Sequence, residues 1–241
     1  MSVVDLLREE LRGFAGYSSA RKEASGGRVL LNANPSPRTV PGDALGLNRY
    51  PDPQPAALRE RLATLYGVDP SRVLVGRGSD EAIDLLVRAA CRAGRDAILI
   101  SPPTFGMYAV CARVQDAAVR SVPLLAEQGF ALDVDGVIAA LDDTVKLVFV
   151  CSPNNPTGAR VAARDLQRVA EAAVGRALLV VDEAYAEFAG GDGALALQAA
   201  HPHVAVLRTL SKAYALAGAR IGCLIGDPAL VGVLRSIMAP Y

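Results

Sequence analysis

The strongest constraint on the fold of this 241-residue chain is a set of short, wholly apolar runs separated by segments of helical period. Arg72-Val73-Leu74-Val75, Ala97-Ile98-Leu99-Ile100, Lys146 to Cys151, Ala177 to Val181, Val204 to Leu207 and Ile221 to Ile225 are each of strand length, and their cores do not alternate apolar with polar residues. A strand that is apolar on both sides must be covered on both faces, as in a mainly parallel sheet between helices. Between these runs the spacing turns helical: Leu58, Leu62 and Leu65 mark a helix over Ala56 to Tyr66. Further helices are expected over Asp80 to Cys91, Phe105 to Asp116, Ala162 to Ala173 and Pro228 to Met238. The expected fold class is α/β, three layers αβα with a mainly parallel central sheet. Leu216-Ala217-Gly218-Ala219 leaves little room for a crossover helix, so the direction of the last strand stays open. Before the sheet, a first helix is expected at Val3 to Phe14, then an irregular arm rich in Gly, Ser, Asn and Pro. The chain therefore divides into an N-terminal helix and arm, 1–55, and a sheet-bearing domain, 56–241.

Composition narrows the function. Hydrophobic residues make up 51% of the chain, enough for a sizeable core, while 25 basic and 25 acidic residues cancel. With no run of like charge, neither nucleic acid nor an anionic membrane surface is an expected partner. No apolar stretch reaches the length of a membrane span. The start, Met1-Ser2-Val3-Val4-Asp5, reads as an amphipathic helix rather than a signal peptide. Four cysteines (Cys91, Cys111, Cys151, Cys223) form no CxxC pair, and both histidines sit in His201-Pro202-His203. That pattern suits a reduced cytoplasmic protein with no metal centre.

Against this background one residue stands out. The chain has three lysines and 22 arginines, and Lys212 lies just past the strand Val204 to Leu207. The carboxyl ends of strands are where open α/β sheets bind ligands. Arg does not give up its proton in proteins, so a lysine here suits a task needing a free amine, such as imine formation with an aldehyde.

Three other strand ends carry complementary groups. Gly76-Arg77-Gly78-Ser79-Asp80-Glu81 joins a strand to a helix, and the backbone N–H groups of Gly78, Ser79 and Asp80 make a phosphate cradle or an ordinary helix cap. The segment lacks the GKS or GKT of a Walker loop and the third glycine of a dinucleotide fingerprint. Cys151-Ser152-Pro153-Asn154-Asn155-Pro156-Thr157-Gly158 is a rigid turn that leaves Asn155 able to donate into a site. Asp182, closing an apolar strand, is a partly desolvated carboxylate in need of a cation, which the protonated nitrogen of a pyridine ring supplies. Tyr185 is placed to bond that ring's phenolic oxygen. Ser211 and Arg220 are phosphate ligands by geometry.

Taken together, Ser152-Pro-Asn-Asn-Pro-Thr-Gly158, Asp182-Glu-Ala-Tyr185 and Ser211-Lys-Ala-Tyr-Ala-Leu-Ala-Gly-Ala-Arg220 resemble the pyridoxal-phosphate aminotransferases of class I/II, fold type I. Within that class the chain is most similar to the histidinol-phosphate aminotransferases. This narrower likeness rests on Asn48-Arg49-Tyr50-Pro51-Asp52, Gly76 to Glu81, Pro102-Pro103-Thr104-Phe105-Gly106-Met107-Tyr108, Arg208 to Lys212 and Met238-Ala239-Pro240-Tyr241. The resemblance implies pyridoxal 5'-phosphate as cofactor. It gives Lys212 the role of imine former and proton shuttle, Asp182 that of partner to the ring nitrogen, and Asn155 and Tyr185 contact with the 3' oxygen. Gly78, Ser79, Asp80, Ser211 and Arg220 would surround the phosphate, and Phe105 would stack on the ring. Tyr50 would reach the cofactor of a neighbouring subunit, implying a homodimer with shared active sites, and Tyr17 and Asn34 would cover the substrate. The implied substrates are small amino acids and keto acids: glutamate and 2-oxoglutarate with L-histidinol phosphate and imidazole-acetol phosphate, a step of histidine biosynthesis.

Two departures accompany the likeness. The arm reads Leu31-Asn32-Ala33-Asn34-Pro35 where relatives commonly carry Asn-Glu-Asn-Pro. Relatives also continue past the final Ala-Pro-Tyr into a small C-terminal domain, so the sequence is expected to represent a cofactor-binding domain cut at its end. A phospho-amino-acid decarboxylase similar to threonine-phosphate decarboxylase would use the same cofactor residues. So would a remnant that binds the cofactor without turnover.

Overall fold

A computed structural model describes residues 2–17, 33–191 and 193–239. Its centre is a seven-stranded sheet of order β1-β7-β6-β5-β4-β2-β3. The strands are β1 (Val73–Gly76), β2 (Ala97–Ile100), β3 (Ala118–Ser121), β4 (Val145–Cys151), β5 (Leu178–Asp182), β6 (Val204–Thr209) and β7 (Gly222–Ile225). The helices are α1 (Ala56–Tyr66), α2 (Ser79–Ala90), α3 (Met107–Val114), α4 (Val134–Ala139), α5 (Ala163–Ala173), α6 (Ala186–Ala189), α7 (Leu195–Ala200) and α8 (Pro228–Ile237).

The apolar strands alternate between two buried layers. Leu147, Phe149, Val180 and Leu207 face α2, α3 and α8, whereas Val148, Val150, Val181 and Val206 face α1, α4, α5 and α7. Covering both faces is what lets every strand position be hydrophobic. β2, β3, β4, β5 and β6 run parallel, and β7 is antiparallel to both β6 and β1. The short Leu216–Ala219 link, one 3-10 turn at Ala217–Ala219, explains the reversal: it returns the chain next to β6 without crossing the sheet. One consequence is that Gly222 begins β7 at the edge where the parallel strands end, opposite Thr209 and Gly76.

The N-terminal helix expected at Val3 to Phe14 does not form. The segment makes two 3-10 turns, Val3–Leu6 and Glu9–Leu11, separated by an extended Leu7. The Ser2 side chain and Asp5 cap the first turn in a capping box. The break comes where the Arg8 N–H donates to the Ala89 carbonyl at the end of α2, 2.9 Å. That long-range bond satisfies an otherwise unpaired C-terminal carbonyl and competes with helix propagation. Val3, Leu6 and Leu7 are buried in the layer that holds α2 and α8.

Candidate active site

The carboxyl edge of the sheet holds a cavity of about 180 Å³. Its position follows from the strand register: Cys151 pairs with Asp182, and Asp182 with Leu207, so three loops leave the sheet side by side. Gly78, Ser79, Asp80, Phe105, Asn155, Asp182, Tyr185, Ser211, Lys212 and Arg220 all line it. The side chains named from four separate strand ends therefore share one space.

Asp182 forms the floor and is 2% exposed. Tyr108 Oη donates to its Oδ2 at 2.7 Å, and the Ala184 N–H donates to its Oδ1 at 3.1 Å. Burial pushes the Asp182 carboxyl above the usual carboxylate range, with the Tyr108 hydrogen bond pulling the other way. Tyr108 is wholly buried, stacked on Phe149 (centroids 4.6 Å, 11°) and met edge-on by Phe105 (5.7 Å, 86°). Cys151, beside it, is held by burial as a neutral thiol, its pKa pushed up to about 12.

The opposite wall is the N-terminus of α2. Gly78 is its N-cap, in a positive-φ conformation (φ 90°) that side chains rarely adopt, and no side chain caps the helix. A Cβ on Gly78 would also lie 2.8 Å from Arg220 Nη2, the tip of a flexible side chain, so the backbone conformation more than the space calls for glycine. Arg220 itself takes φ 53°. Its guanidinium donates to the carbonyls of Ala217 (3.1 Å) and Arg77 (3.3 Å) and stands 4.0 Å from the Asp80 carboxylate. Glu81 accepts from the Arg77 backbone N–H (2.7 Å) and pairs with the Arg77 guanidinium (2.5 Å). The wall thus presents helix N–H groups and one guanidinium, a combination that attracts an anion.

Lys212 lies on the rim, exposed, with Nζ 5.6 Å from the centroid of the Tyr185 ring. The preceding loop is braced by Ser211 N–H donating to Thr209 Oγ1 at 3.1 Å. Asn155 is presented by the neighbouring Asn154, whose amide donates to Pro103 O and Thr157 Oγ1 (both 2.9 Å) and accepts from Thr104 Oγ1 (2.8 Å). The turn contains cis peptide bonds at Ser152-Pro153 and Asn155-Pro156.

The family model for aminotransferase class I and II matches residues 29–241. The chain belongs to the class I and II aminotransferases. It is 58% identical over 242 residues to the histidinol-phosphate aminotransferase of Stenotrophomonas maltophilia, covering 99% of this chain and 66% of that protein. The enzyme of the same name from Xanthomonas euvesicatoria is 54% identical over 243 residues, with 100% of this chain and 67% of the relative covered. The chain thus spans about two thirds of the length of these relatives. Among solved structures, a Thermus thermophilus aspartate aminotransferase mutant aligns with TM-score 0.72 and 30% identity, over 78% of this chain and 54% of its own. The Sinorhizobium meliloti histidinol-phosphate aminotransferase in complex with pyridoxal-5'-phosphate aligns with TM-score 0.69 and 29% identity, over 78% and 55%.

Three residues named from the sequence lie elsewhere. Tyr17, Asn34 and Tyr50 do not line the cavity of the single chain, and Tyr17 and Tyr50 are 66% and 44% exposed. Conversely, Tyr108, Cys151 and Thr209 belong to the site and were not singled out by sequence. Tyr108 in α3 reads as an ordinary core aromatic; its hydroxyl, which must find a partner when buried, is the only signal in its residue type. Among the described residues no helix is long and apolar enough to cross a membrane, and no cluster of His, Cys, Asp or Glu could hold a metal.

Proposed function

We propose that the cavity binds pyridoxal 5'-phosphate and that the chain carries out amino-group transfer on it, between L-histidinol phosphate or imidazole-acetol phosphate and glutamate or 2-oxoglutarate. The observation that carries this reading is a buried carboxylate, Asp182, on the floor of a cavity with an amine on its rim and an uncapped helix N-terminus in its wall. These residues fit the cofactor. A buried acid without a cation is costly, and a protonated pyridine nitrogen compensates it. The N-terminus of α2, Ser211 and Arg220 suit a phosphate. When bound, the cofactor supplies an aldehyde that joins amines and a ring that accepts the electron pair left at the substrate Cα.

The chain's own groups do the rest. Lys212 Nζ would hold the cofactor's aldehyde and would serve as the base and acid that moves the substrate's Cα proton. Asp182 would keep the ring nitrogen protonated, and Tyr108 holds Asp182 in place through its hydroxyl. Asn155 and Tyr185, which line the cavity, would donate to the 3' oxygen, and Phe105 would cover the ring. Homodimeric assembly is part of the reading. Val40, Leu45 and Leu47 are 68%, 81% and 73% exposed just before Tyr50, as in an arm laid on a second copy that carries Tyr50 toward that copy's site. Tyr17 and Asn34 are assigned to covering the substrate.

Lys212→Arg is the test. It should abolish both the imine absorption that appears on adding pyridoxal phosphate and the half-reaction with glutamate. A variant with an undiminished band overturns the assignment, and carbon dioxide in place of a keto acid as product would move the chain to the decarboxylases.

A further inference from the structure

Behind the cavity, on the other face of the sheet, lies a buried charge cluster that the chemistry above does not use. Arg208 on β6 is 6% exposed and Glu183, directly after β5, is 3% exposed. The Arg208 guanidinium is 2.6 Å from Glu183 and 3.3 Å from Glu187 on α6, and it lies 5.3 Å from the centroid of the Tyr66 ring at the end of α1. Strand parity separates this cluster from the cavity: Asp182 and Thr209 point to one face, Glu183 and Arg208 to the other.

Stability alone gives a weak reason for such a cluster. Replacing a buried ion pair by apolar side chains of similar volume is often neutral or stabilising. This one is also incompletely satisfied, with Arg208 Nε and Tyr66 Oη buried and without hydrogen-bond partners among the described residues. What the cluster does supply is a fixed distance. Glu183 adjoins Asp182, Glu187 lies two residues past Tyr185, and Arg208 precedes Lys212 by four residues. The Glu183 N–H donates to Leu207 O at 3.0 Å, so backbone and side chain bind the same two segments. A planar guanidinium gripping two carboxylates holds direction as well as distance, which a single ammonium does not.

We propose that Arg208 is a positioning residue: by bridging Glu183 and Glu187 it sets the Asp182–Tyr185 turn against the Ser211–Lys212 loop, so that the amine and the buried acid meet one cofactor at the same time. This rests on the pyridoxal-phosphate reading, and the experiment separates the two. Arg208→Lys keeps the charge and one carboxylate contact but cannot span both acids. The full chain and the variant are mixed with pyridoxal phosphate, and the rate and amplitude of imine absorption are followed beside a thermal melt. A misplacement of about 1 Å costs on the order of 10²-fold in rate. The expected result is capture slowed by at least about tenfold in molecules that still melt cooperatively. If Arg208→Lys does not fold, Glu187→Gln at the cluster's more accessible side is read in its place and should slow capture in the same direction. Capture at the parent's rate in the folded variant, even with a lowered melting temperature, refutes the positioning role. A parent chain that shows no imine band refutes the cofactor reading itself.

Discussion

Replacing Tyr108 by Phe isolates the hydrogen bond that steadies the buried acid. The ring is fully buried and stacked on Phe149, so Phe preserves the packing and removes only the Oη donor, 2.7 Å from Asp182 Oδ2. One hydrogen bond then remains to the carboxylate, from the Ala184 N–H at 3.1 Å. Losing a hydrogen bond to a charged group costs about 1.5–3 kcal/mol. The lost donor stabilised the charged form, so the Asp182 pKa rises further. Burial already places this pKa above the ordinary value of 3.8. Below 3.8 the acid is protonated in both folded and unfolded chains, and the shift has no effect on stability. As pH rises toward the folded value, the unfolded chain gives up its proton first, and the folded state loses stability through that window. Tyr108→Phe extends the window upward. A more basic Asp182 is also neutral over a wider pH range and then cannot hold a cationic ring nitrogen. Following the glutamate half-reaction from about pH 5 to 9 should show its ascending limb displaced to higher pH. A variant whose pH profile matches the parent's would refute the claim that Tyr108 controls Asp182.

Other outcomes follow from the same geometry. Asp182→Asn removes the pH-sensitive charge, so the melting temperature of the cofactor-free variant minus that of the parent should grow as pH rises above the carboxylate range and close near about pH 4. The same variant should lose about 10²-fold or more of the glutamate half-reaction, measured by absorbance. Gly78→Ala meets the tip of a flexible side chain, Arg220 Nη2 at 2.8 Å, at a backbone conformation that costs about 1–3 kcal/mol for other residues. It should fold and bind pyridoxal phosphate more weakly, as a fluorescence titration would show. Gly222→Ala instead meets backbone, its Cβ running into the Ser79 nitrogen and the Gly78 carbonyl carbon, and should lower stability by at least about 1–3 kcal/mol in urea unfolding.

What the sequence revealed follows from how each element is buried. β4, β5 and β6 were legible because both of their faces are covered, leaving continuous apolar runs. β3 was not, because Ala118-Val119-Arg120-Ser121 is an exposed strand at the end of the sheet, paired with β2 alone among the described residues. The short helices α4, α6 and α7, of six, four and six residues, are too brief to display a helical period. The N-terminal segment has the right spacing for a helix, but its backbone is claimed by Ala89, a tertiary contact that no local pattern encodes. In the site, Lys212, Asp182 and Asn155 were readable because a polar group at a strand's carboxyl end is conspicuous. Tyr108 and Arg208 were not: one hides its hydroxyl within a core aromatic, and the other follows an apolar strand as if it were its solvated end.

Function on this scaffold depends most on a covalent bond between Lys212 and the cofactor, and borohydride trapping tests that bond directly. The full chain, incubated with pyridoxal phosphate, reduced, digested and mapped by mass spectrometry, should carry one reduced phosphopyridoxyl group on the peptide containing Lys212. A label confined to Lys22 or Lys146, or no label at a cofactor concentration that saturates the absorbance change, would contradict it.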